Sequence, residues 1–204
     1  HNFQPLLYQV ASSGLEPDSI AFPLRKFIKR YKNIYFRYTE VLGFDNEKKE
    51  VETKAGTLAF DYLVIASGSC TNFFGKTQLQ KNALSLKSVS DALDIRSLIL
   101  QNLEKALLTS DDHERQSLMT IVISGAGPTG VELAGALSEL KHYAFKNEYI
   151  DLNTNNIRII LIEGMDKVLH TMSEQASENT LKALRKKGVE VRLNTMISDY
   201  DGEK

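Results

Sequence analysis

The stretch MTIVISGAGPTGVELAG, residues 119–135, decides the fold of this chain. A short β-branched apolar run enters a tight glycine turn and leaves as a helix, which is the context that a dinucleotide-binding fingerprint requires. In this pattern Gly125 permits the turn, Gly127 has no side chain to obstruct a pyrophosphate, and Gly130 lets the helix pack closely on the strand. The stretch therefore predicts a βαβ unit that binds a dinucleotide.

The start of the predicted helix offers a site for phosphate. Pro128 and Thr129 lie in its first turn, where the missing N–H of a proline costs little. Backbone N–H groups around residues 125–130, including that of Ala126, are placed to hold an anion that the helix dipole also attracts. We predict that the diphosphate of the dinucleotide binds here.

A carboxylate is expected at the end of the next strand, where it accepts hydrogen bonds from the adenosine ribose. The strand predicted over residues 157–163 ends in Glu163. It lies further from the turn than the usual ~20 residues, because a polar connection over residues 147–156 follows the helix. An acid here repels the 2′-phosphate of NADPH, so the sequence favours NADH. The alternative is a βαβ unit whose small turn residues bind no nucleotide.

The first part of the chain shows alternating helical and strand periodicity. We predict a helix over residues 20–31 and three antiparallel strands, forming a meander, within residues 34–60. The continuous apolar run 61–66 is typical of a strand buried on both faces of a parallel sheet. A helix from residue 88 to about 109 and a solvated connector over residues 110–116 follow.

The second part of the chain is predicted to be the nucleotide-binding unit. Its elements are strand 119–124, helix 129–145, strand 157–163, helix 173–187 and a third strand near 189–193. We place the boundary between the two domains after residue 86.

Composition excludes several classes of protein. The 204 residues carry a formal net charge of −1, which gives no electrostatic reason to predict a nucleic-acid partner. Cys70 is the single cysteine, so neither an internal disulfide nor a zinc site is predicted. No apolar run approaches the 18 or so residues that a membrane span needs. Because the chain starts at His1 and stops at Lys204 in a turn-like stretch, we interpret both ends as cuts from a longer protein.

Three stretches together resemble a known family. Residues 3–11 (FQPLLYQVA), 60–68 (FDYLVIASG) and 125–135 are similar to the flavoprotein superfamily with two dinucleotide-binding domains, and most closely to the type II NADH dehydrogenases. The resemblance implies an α/β fold in which a Rossmann-like NAD-binding βαβ domain, residues 87–204, joins a partial FAD-binding domain with an antiparallel β-meander, residues 1–86.

The resemblance also implies roles for individual residues. The FAD isoalloxazine ring would lie beside the stretch that contains Pro5, Leu6 and Tyr8, although Tyr8 could instead be a core aromatic residue. The backbone at Ala66, Ser67 and Gly68 would lie close to the FAD pyrophosphate and ribose; serine replaces the family's threonine. For NADH, the implied residues are Gly125, Ala126, Gly127, Pro128, Thr129, Gly130 and Glu163, with Glu132 near the nicotinamide cleft.

The implied activity is hydride transfer from NADH to FAD, followed by electron transfer to a membrane quinone. The chemistry would be that of the flavin, so no catalytic protein residue is predicted. The resemblance implies that the whole protein is a peripheral membrane protein at the cytoplasmic face of a bacterial-type inner membrane. It would be attached through segments beyond this chain, and a homodimer is a possible assembly. Residues 1–204 by themselves would be inactive.

Three other interpretations stay open to different degrees. A disulfide reductase needs a Cys-x4-Cys pair close to where Pro5 stands, and the single cysteine argues against it. A ferredoxin- or nitrite-type reductase of the same superfamily is an alternative that depends in part on residues after Lys204. A non-catalytic NADH sensor is the third, and the sequence before His1 would separate it from a flavoenzyme.

Overall fold

In a computed structural model of the chain, residues 2–202 can be described, and they form two packing units. One unit consists of residues 23–70. The other combines residues 2–22 with residues 71–202. Each unit has its own sheet of three strands.

The unit of residues 23–70 contains the predicted meander. Strands β1 (Val41–Asp45), β2 (Glu50–Thr53) and β3 (Gly56–Ala59) are antiparallel and adjacent in chain order. The turn between β1 and β2 forms because the Asp45 carboxylate accepts the backbone N–H groups of Glu47 and Lys48, each at 2.9 Å.

Proline divides the helix that was predicted over residues 20–31. The structure has two short helices, α2 (Pro17–Ile20) and α3 (Leu24–Ile28), and the prediction of one continuous helix is wrong. Pro23 is extended at the start of α3 and has no N–H to donate to a preceding turn, so the helical pattern cannot run through it. The first strand of the meander, predicted over residues 34–44, is also shorter than expected, because pairing begins only at Val41.

The apolar run 61–66 is not a strand in this structure, contrary to the prediction. Tyr62 is 94% exposed and Val64 is 85% exposed. A strand of a parallel sheet needs a neighbouring strand to bond its backbone, and no strand formed by residues 2–202 pairs with this run.

The second unit contains the Rossmann-like sheet. Strands β4 (Thr120–Ser124), β5 (Arg158–Ile162) and β6 (Glu190–Arg192) are parallel, in the order β4-β5-β6. Helices α7 (Pro128–Leu140) and α9 (Glu174–Lys186) provide the two connections, as predicted. After α7 the chain continues as a π-helical turn (Lys141–Phe145) and the short helix α8 (Lys146–Glu148), and a 3₁₀ turn (Thr154–Asn156) precedes β5.

Residues 2–22 pack with this second unit. A 3₁₀ turn (Gln4–Leu6) leads into helix α1 (Leu7–Ala11), which contacts both α7 and the long helix α5 (Val89–Leu108). The packing units thus divide the chain differently from residue 86, since α1 buries its apolar face on helices after that point. The division into FAD- and NADH-binding domains at residue 86 stays a prediction.

Helix α5 begins where the sequence predicts. The Ser88 side chain accepts the N–H of Asp91, and the Asp91 carboxylate accepts that of Ser88, which together form a capping box. A short helix α4 (Thr77–Asn82) precedes α5, and helix α6 (Asp112–Leu118) follows it. The predicted connector over residues 110–116 is exposed at residues 110–114, as expected, but most of it is helical, because the Asp111 carboxylate accepts the N–H groups of His113 and Glu114 and starts α6.

Candidate nucleotide-binding site

The glycine turn joins β4 to α7 at the carboxyl edge of the parallel sheet. Gly125 has a φ of +98°, a conformation that residues with a side chain rarely adopt. Its N–H donates to the carbonyl of Ile162 at 2.8 Å, which holds the turn against the end of β5. Gly127 is the N-cap of α7, and the first bond of the helix runs from the N–H of Val131 to its carbonyl at 3.0 Å.

The second and third glycines are needed for different reasons. A Cβ added at Gly130 would lie 2.0 Å from the carbonyl oxygen of Gly125, so the helix can approach the turn only because residue 130 has no side chain. A Cβ added at Gly127 would meet no atom within 4 Å. The space over Gly127 is therefore open, as a pyrophosphate site requires.

The carboxylate of Glu163 reaches back to the glycine turn. One oxygen accepts the N–H of Ala126 at 2.7 Å, and the other accepts the N–H of Met165 at 2.9 Å. The structure thus brings together the two halves of the predicted fingerprint, which are 37 residues apart in sequence. Glu163 is half-buried, and its bond to the N–H of Ala126 holds its carboxylate at the residue next to Gly127.

These contacts reduce the number of backbone groups that can hold phosphate. The N–H groups of Gly125 and Ala126 already donate within the protein, and Pro128 has none. The N–H groups of Gly127, Thr129 and Gly130 precede the first i→i−4 bond of α7, and these are the donors that a helix N-terminus presents to an anion. Thr129 is exposed.

Tyr8 and Glu132 lie on the wall of one cleft of about 530 Å³. Tyr8 is half-buried, packs against the core and accepts a hydrogen bond from the Gln9 side chain at 3.1 Å. It is therefore both a packed aromatic residue and part of a cleft wall. Burial raises the pKa of the Glu132 carboxyl, so the cleft disfavours its ionised form.

Helix α7 and the π-helical turn after it contribute more of this cleft than the sequence analysis identified. The cleft is also lined by Gly135, Glu139 and Tyr143. Together with Glu132 they recur every three or four residues, so they share one face of a helix. That spacing was present in the sequence, but it does not show which face is covered by the core and which borders a cleft.

The residues implied for FAD are placed in two different packing units. Pro5 is exposed in the 3₁₀ turn and Leu6 packs partly against the core of the second unit. Ala66, Ser67 and Gly68 belong to the unit of residues 23–70, where all three are exposed and Gly68 has a φ of +77°. Their role in binding FAD stays a prediction.

Within residues 2–202, no group of three or more His, Cys, Asp or Glu side chains is arranged to hold a metal ion. The Nδ1 atom of His142 lies 2.7 Å from the Ser138 carbonyl oxygen, a local helical contact. None of the helices described in this range is long and apolar enough to cross a membrane.

Comparison with known proteins assigns the class of protein. The family model for pyridine nucleotide-disulphide oxidoreductases matches residues 1–204, and the chain belongs to this family. Within it, the chain is similar to two proteins of Mycobacterium tuberculosis, the type II NADH:quinone oxidoreductases Ndh (33% identity) and NdhA (35% identity). These alignments cover 98% and 99% of the chain but 44% of each relative.

A solved structure agrees with this placement. NDH2 from Plasmodium falciparum, in complex with NADH, superimposes with a TM-score of 0.85 at 30% identity, over 98% of this chain and 42% of that one. The resemblance to type II NADH dehydrogenases and the α/β fold class, both predicted from the sequence, are confirmed. The chain spans less than half the length of the relatives it matches.

Proposed function

We propose that the protein containing this chain is a flavoprotein oxidoreductase that passes a hydride from NADH to FAD and electrons on to a membrane quinone. One observation carries the proposal. An open glycine turn, with the Glu163 carboxylate bonded to its backbone at 2.7 Å, lies in a chain about one-third identical to enzymes named NADH:quinone oxidoreductases.

Binding of NADH uses the geometry of the turn. The N–H groups of Gly127, Thr129 and Gly130 would hold the diphosphate, and the positive end of the α7 dipole adds to that attraction. The Glu163 carboxylate would accept hydrogen bonds from the adenosine ribose hydroxyls. Its charge opposes the 2′-phosphate of NADPH, so NADH is the expected dinucleotide.

The resemblance to type II NADH dehydrogenases assigns two stretches of this chain to the flavin. FAD, when bound, provides the redox chemistry, by accepting the hydride and releasing electrons to the quinone. Tyr8 would form part of the wall beside the ring, and Pro5 and Leu6 shape the same stretch. Ala66, Ser67 and Gly68 present backbone without bulky side chains, as a site for pyrophosphate and ribose requires.

Two alternatives to the quinone enzyme differ from it in the fate of the electrons from NADH. A ferredoxin- or nitrite-type reductase would use the same NADH site, but the relatives at 33–35% identity are named quinone enzymes. A non-catalytic NADH sensor would bind the dinucleotide and transfer no electrons. Peripheral attachment to the cytoplasmic face of an inner membrane, and a homodimer, belong to the quinone proposal.

The test uses the full-length protein with its flavin. We expect the yellow protein to be bleached by NADH faster than by NADPH, and to reduce a short-chain quinone in the presence of NADH. Glu163→Ala should raise the KM for NADH by roughly tenfold, the worth of about one charge-assisted hydrogen bond, and leave kcat and the flavin content unchanged.

A matched substitution controls for general damage. Glu190→Ala removes a carboxylate from β6 that pairs with Arg158 and Arg192 on the surface, and it should leave the KM for NADH unchanged. A colourless protein would contradict the flavoenzyme. A yellow protein that reduces ferredoxin but not quinone would support the reductase alternative.

A further inference from the structure

The loops that follow β5 and β6 are bonded to each other at the carboxyl edge of the parallel sheet. The N–H of Glu163 donates to the carbonyl of Arg192, and the N–H of Thr195 donates to the carbonyl of Glu163, both at 2.9 Å. The N–H of Asn194 donates to the carbonyl of Met165, also at 2.9 Å. These bonds hold the chain after β6 beside the residue whose carboxylate is expected to bind the adenosine ribose.

The side chain of Met196 lies next to Gly164, the residue that follows Glu163. A Cβ added at Gly164 would lie 3.2 Å from Cγ and 3.8 Å from Sδ of Met196. Gly164 does not have a positive φ, so its backbone conformation does not require glycine. Its missing side chain instead leaves room for the thioether of Met196. We call the apolar surface formed by Gly164 and Met196 the methionine floor.

The order of the strands sets the direction in which a dinucleotide would cross this edge. The glycine turn follows β4, Glu163 follows β5 and Met196 belongs to the loop after β6, in the sheet order β4-β5-β6. Neighbouring strands are ~4.8 Å apart, a step comparable with the width of a ribose ring. The diphosphate is attached to C5′ of the adenosine ribose and the adenine to C1′, on the opposite side of the sugar. With the diphosphate at the turn and the ribose at Glu163, the adenine points toward the loop after β6.

We propose that the methionine floor binds the adenine ring of NADH. The inference rests on the NADH site of the proposed function and adds to it the residue that holds the base. A thioether sulfur is polarisable and attracts an aromatic ring at a distance of about 5 Å. Covering one face of the adenine also removes apolar area from water, which is favourable. Glu163 would therefore bind the sugar, and Met196 the base attached to it.

The first test measures the binding of ADP-ribose to the full-length protein with its flavin in place. ADP-ribose carries the adenine, the ribose and the diphosphate without nicotinamide, and bound FAD keeps it out of the flavin site. Met196→Ala should weaken binding about fivefold, within the range of a sulfur–ring contact. Met196→Leu keeps most of the apolar area and should weaken binding about twofold. Unchanged binding in Met196→Ala would overturn the proposal.

A matched truncation controls for general effects. Ile150→Ala shortens an exposed apolar side chain in the connection before β5, so it lies toward the other end of that strand. It should leave the binding of ADP-ribose unchanged. Equal losses in Ile150→Ala and Met196→Ala would mean that the effect does not come from the adenine, and the proposal would fall.

Oxidation of two hydride donors distinguishes contact with adenine from a role in packing. Met196→Ala should raise the KM for NADH about fivefold and leave kcat unchanged. Reduced nicotinamide mononucleotide lacks the adenosine half, so its kcat/KM should stay that of the unsubstituted protein. An equal fall in kcat/KM for both donors would show that Met196 only supports the structure of the site.

A double-mutant cycle tests whether Gly164 acts through Met196. The methyl group of Gly164→Ala would lie 3.2 Å from Cγ of Met196, so the thioether must move. We expect this variant to weaken binding of ADP-ribose about threefold. In the Met196→Ala background the same methyl group meets no thioether and should change binding by less than about 1.5-fold. Additive losses would contradict the methionine floor.

These measurements also separate the inference from the proposed function. If the unsubstituted, flavin-containing protein fails to bind ADP-ribose, the dinucleotide site of the proposed function is wrong and the inference fails with it. If that protein binds ADP-ribose and oxidises NADH, but Met196→Ala behaves like Ile150→Ala, the inference alone is wrong.

Discussion

At the residue scale, the glycines of the turn have separable roles. Gly125 provides the positive φ, Gly130 the close approach of helix and turn, and Gly127 an open face. The sequence pattern predicts all three roles, because each follows from the absence of a Cβ. It could not predict that Glu163 bonds the N–H of Ala126, since that contact needs β5 to lie beside β4.

Substitution by alanine distinguishes the last two glycines. Gly130→Ala places a methyl group 2.0 Å from a backbone oxygen, so the helix must shift, and we expect a loss of about 1–3 kcal/mol in the free energy of unfolding. Gly127→Ala meets no atom and should cost less than about 1 kcal/mol.

For NADH binding we expect the opposite order, with Gly127→Ala weakening affinity by direct obstruction of the proposed site. The methyl group of Gly127→Ala projects into the proposed pyrophosphate space, so NADH affinity should fall at least tenfold in a fully folded protein. Urea unfolding and NADH titration of the same two variants check both statements. Unchanged affinity in Gly127→Ala would place the diphosphate elsewhere.

At the element scale, capping separates the helices that were predicted well from those that were not. Helix α5 starts at Ser88 because a complete capping box is written in adjacent residues. Helix α6 was missed because its polar sequence resembles a loop, although Asp111 caps it. The prediction of one helix over residues 20–31 was wrong because of Pro23. The apolar residues keep helical spacing across this position, but a proline backbone cannot continue the helix.

The capping box of α5 predicts a pH dependence of stability. Burial opposes ionisation of Asp91, but hydrogen bonds from the N–H groups of Lys87 and Ser88 and from the hydroxyls of Ser88 and Ser85 outweigh it and lower its pKa from 3.8. A lowered pKa in the folded state stabilises the protein above the unfolded value and stops doing so as pH falls through the folded value.

Asp91→Ala should therefore cost about 1–2 kcal/mol at neutral pH, and the difference from the unsubstituted protein should shrink below pH 3.8. Asp94→Ala is the control, since Asp94 is an exposed acid of the same helix and should change stability by less than about 0.5 kcal/mol. Denaturant unfolding at a series of pH values measures both. A pH-independent difference would show that the carboxylate charge contributes nothing.

At the scale of the whole molecule, strands in the sheets have bonded neighbours, whereas the apolar run 61–66 has none among residues 2–202. The backbone of β5 is bonded on both sides, by β4 and β6, and Leu161 is fully buried. Residues 61–66 have no strand partner among residues 2–202 and expose most of their side chains. Backbone amides that bond to water exchange their hydrogen rapidly.

Hydrogen exchange on the 204-residue chain should show this contrast. Amides of residues 159–161 are expected to be the slowest to exchange, and those of 62–66 to exchange as fast as an exposed loop. Residues 50–53 of β2 serve as the comparison, because they lie between two strands of the meander. Protection of residues 62–66 equal to that of β2 would mean that the run has found a strand partner.

The sequence by itself determined the local features of this protein: the glycine turn, the strands and helices of the βαβ unit, the start of α5 and the family to which the chain belongs. Each depends on residues close together along the chain, whose allowed conformations are set by sterics and hydrogen bonding. Only the tertiary structure decided that Glu163 meets Ala126, that α1 packs on α5, that Tyr8 and Glu132 share a cleft, and that residues 61–66 pair with no strand among residues 2–202. These depend on which distant segments are adjacent, and an apolar pattern does not specify its partner.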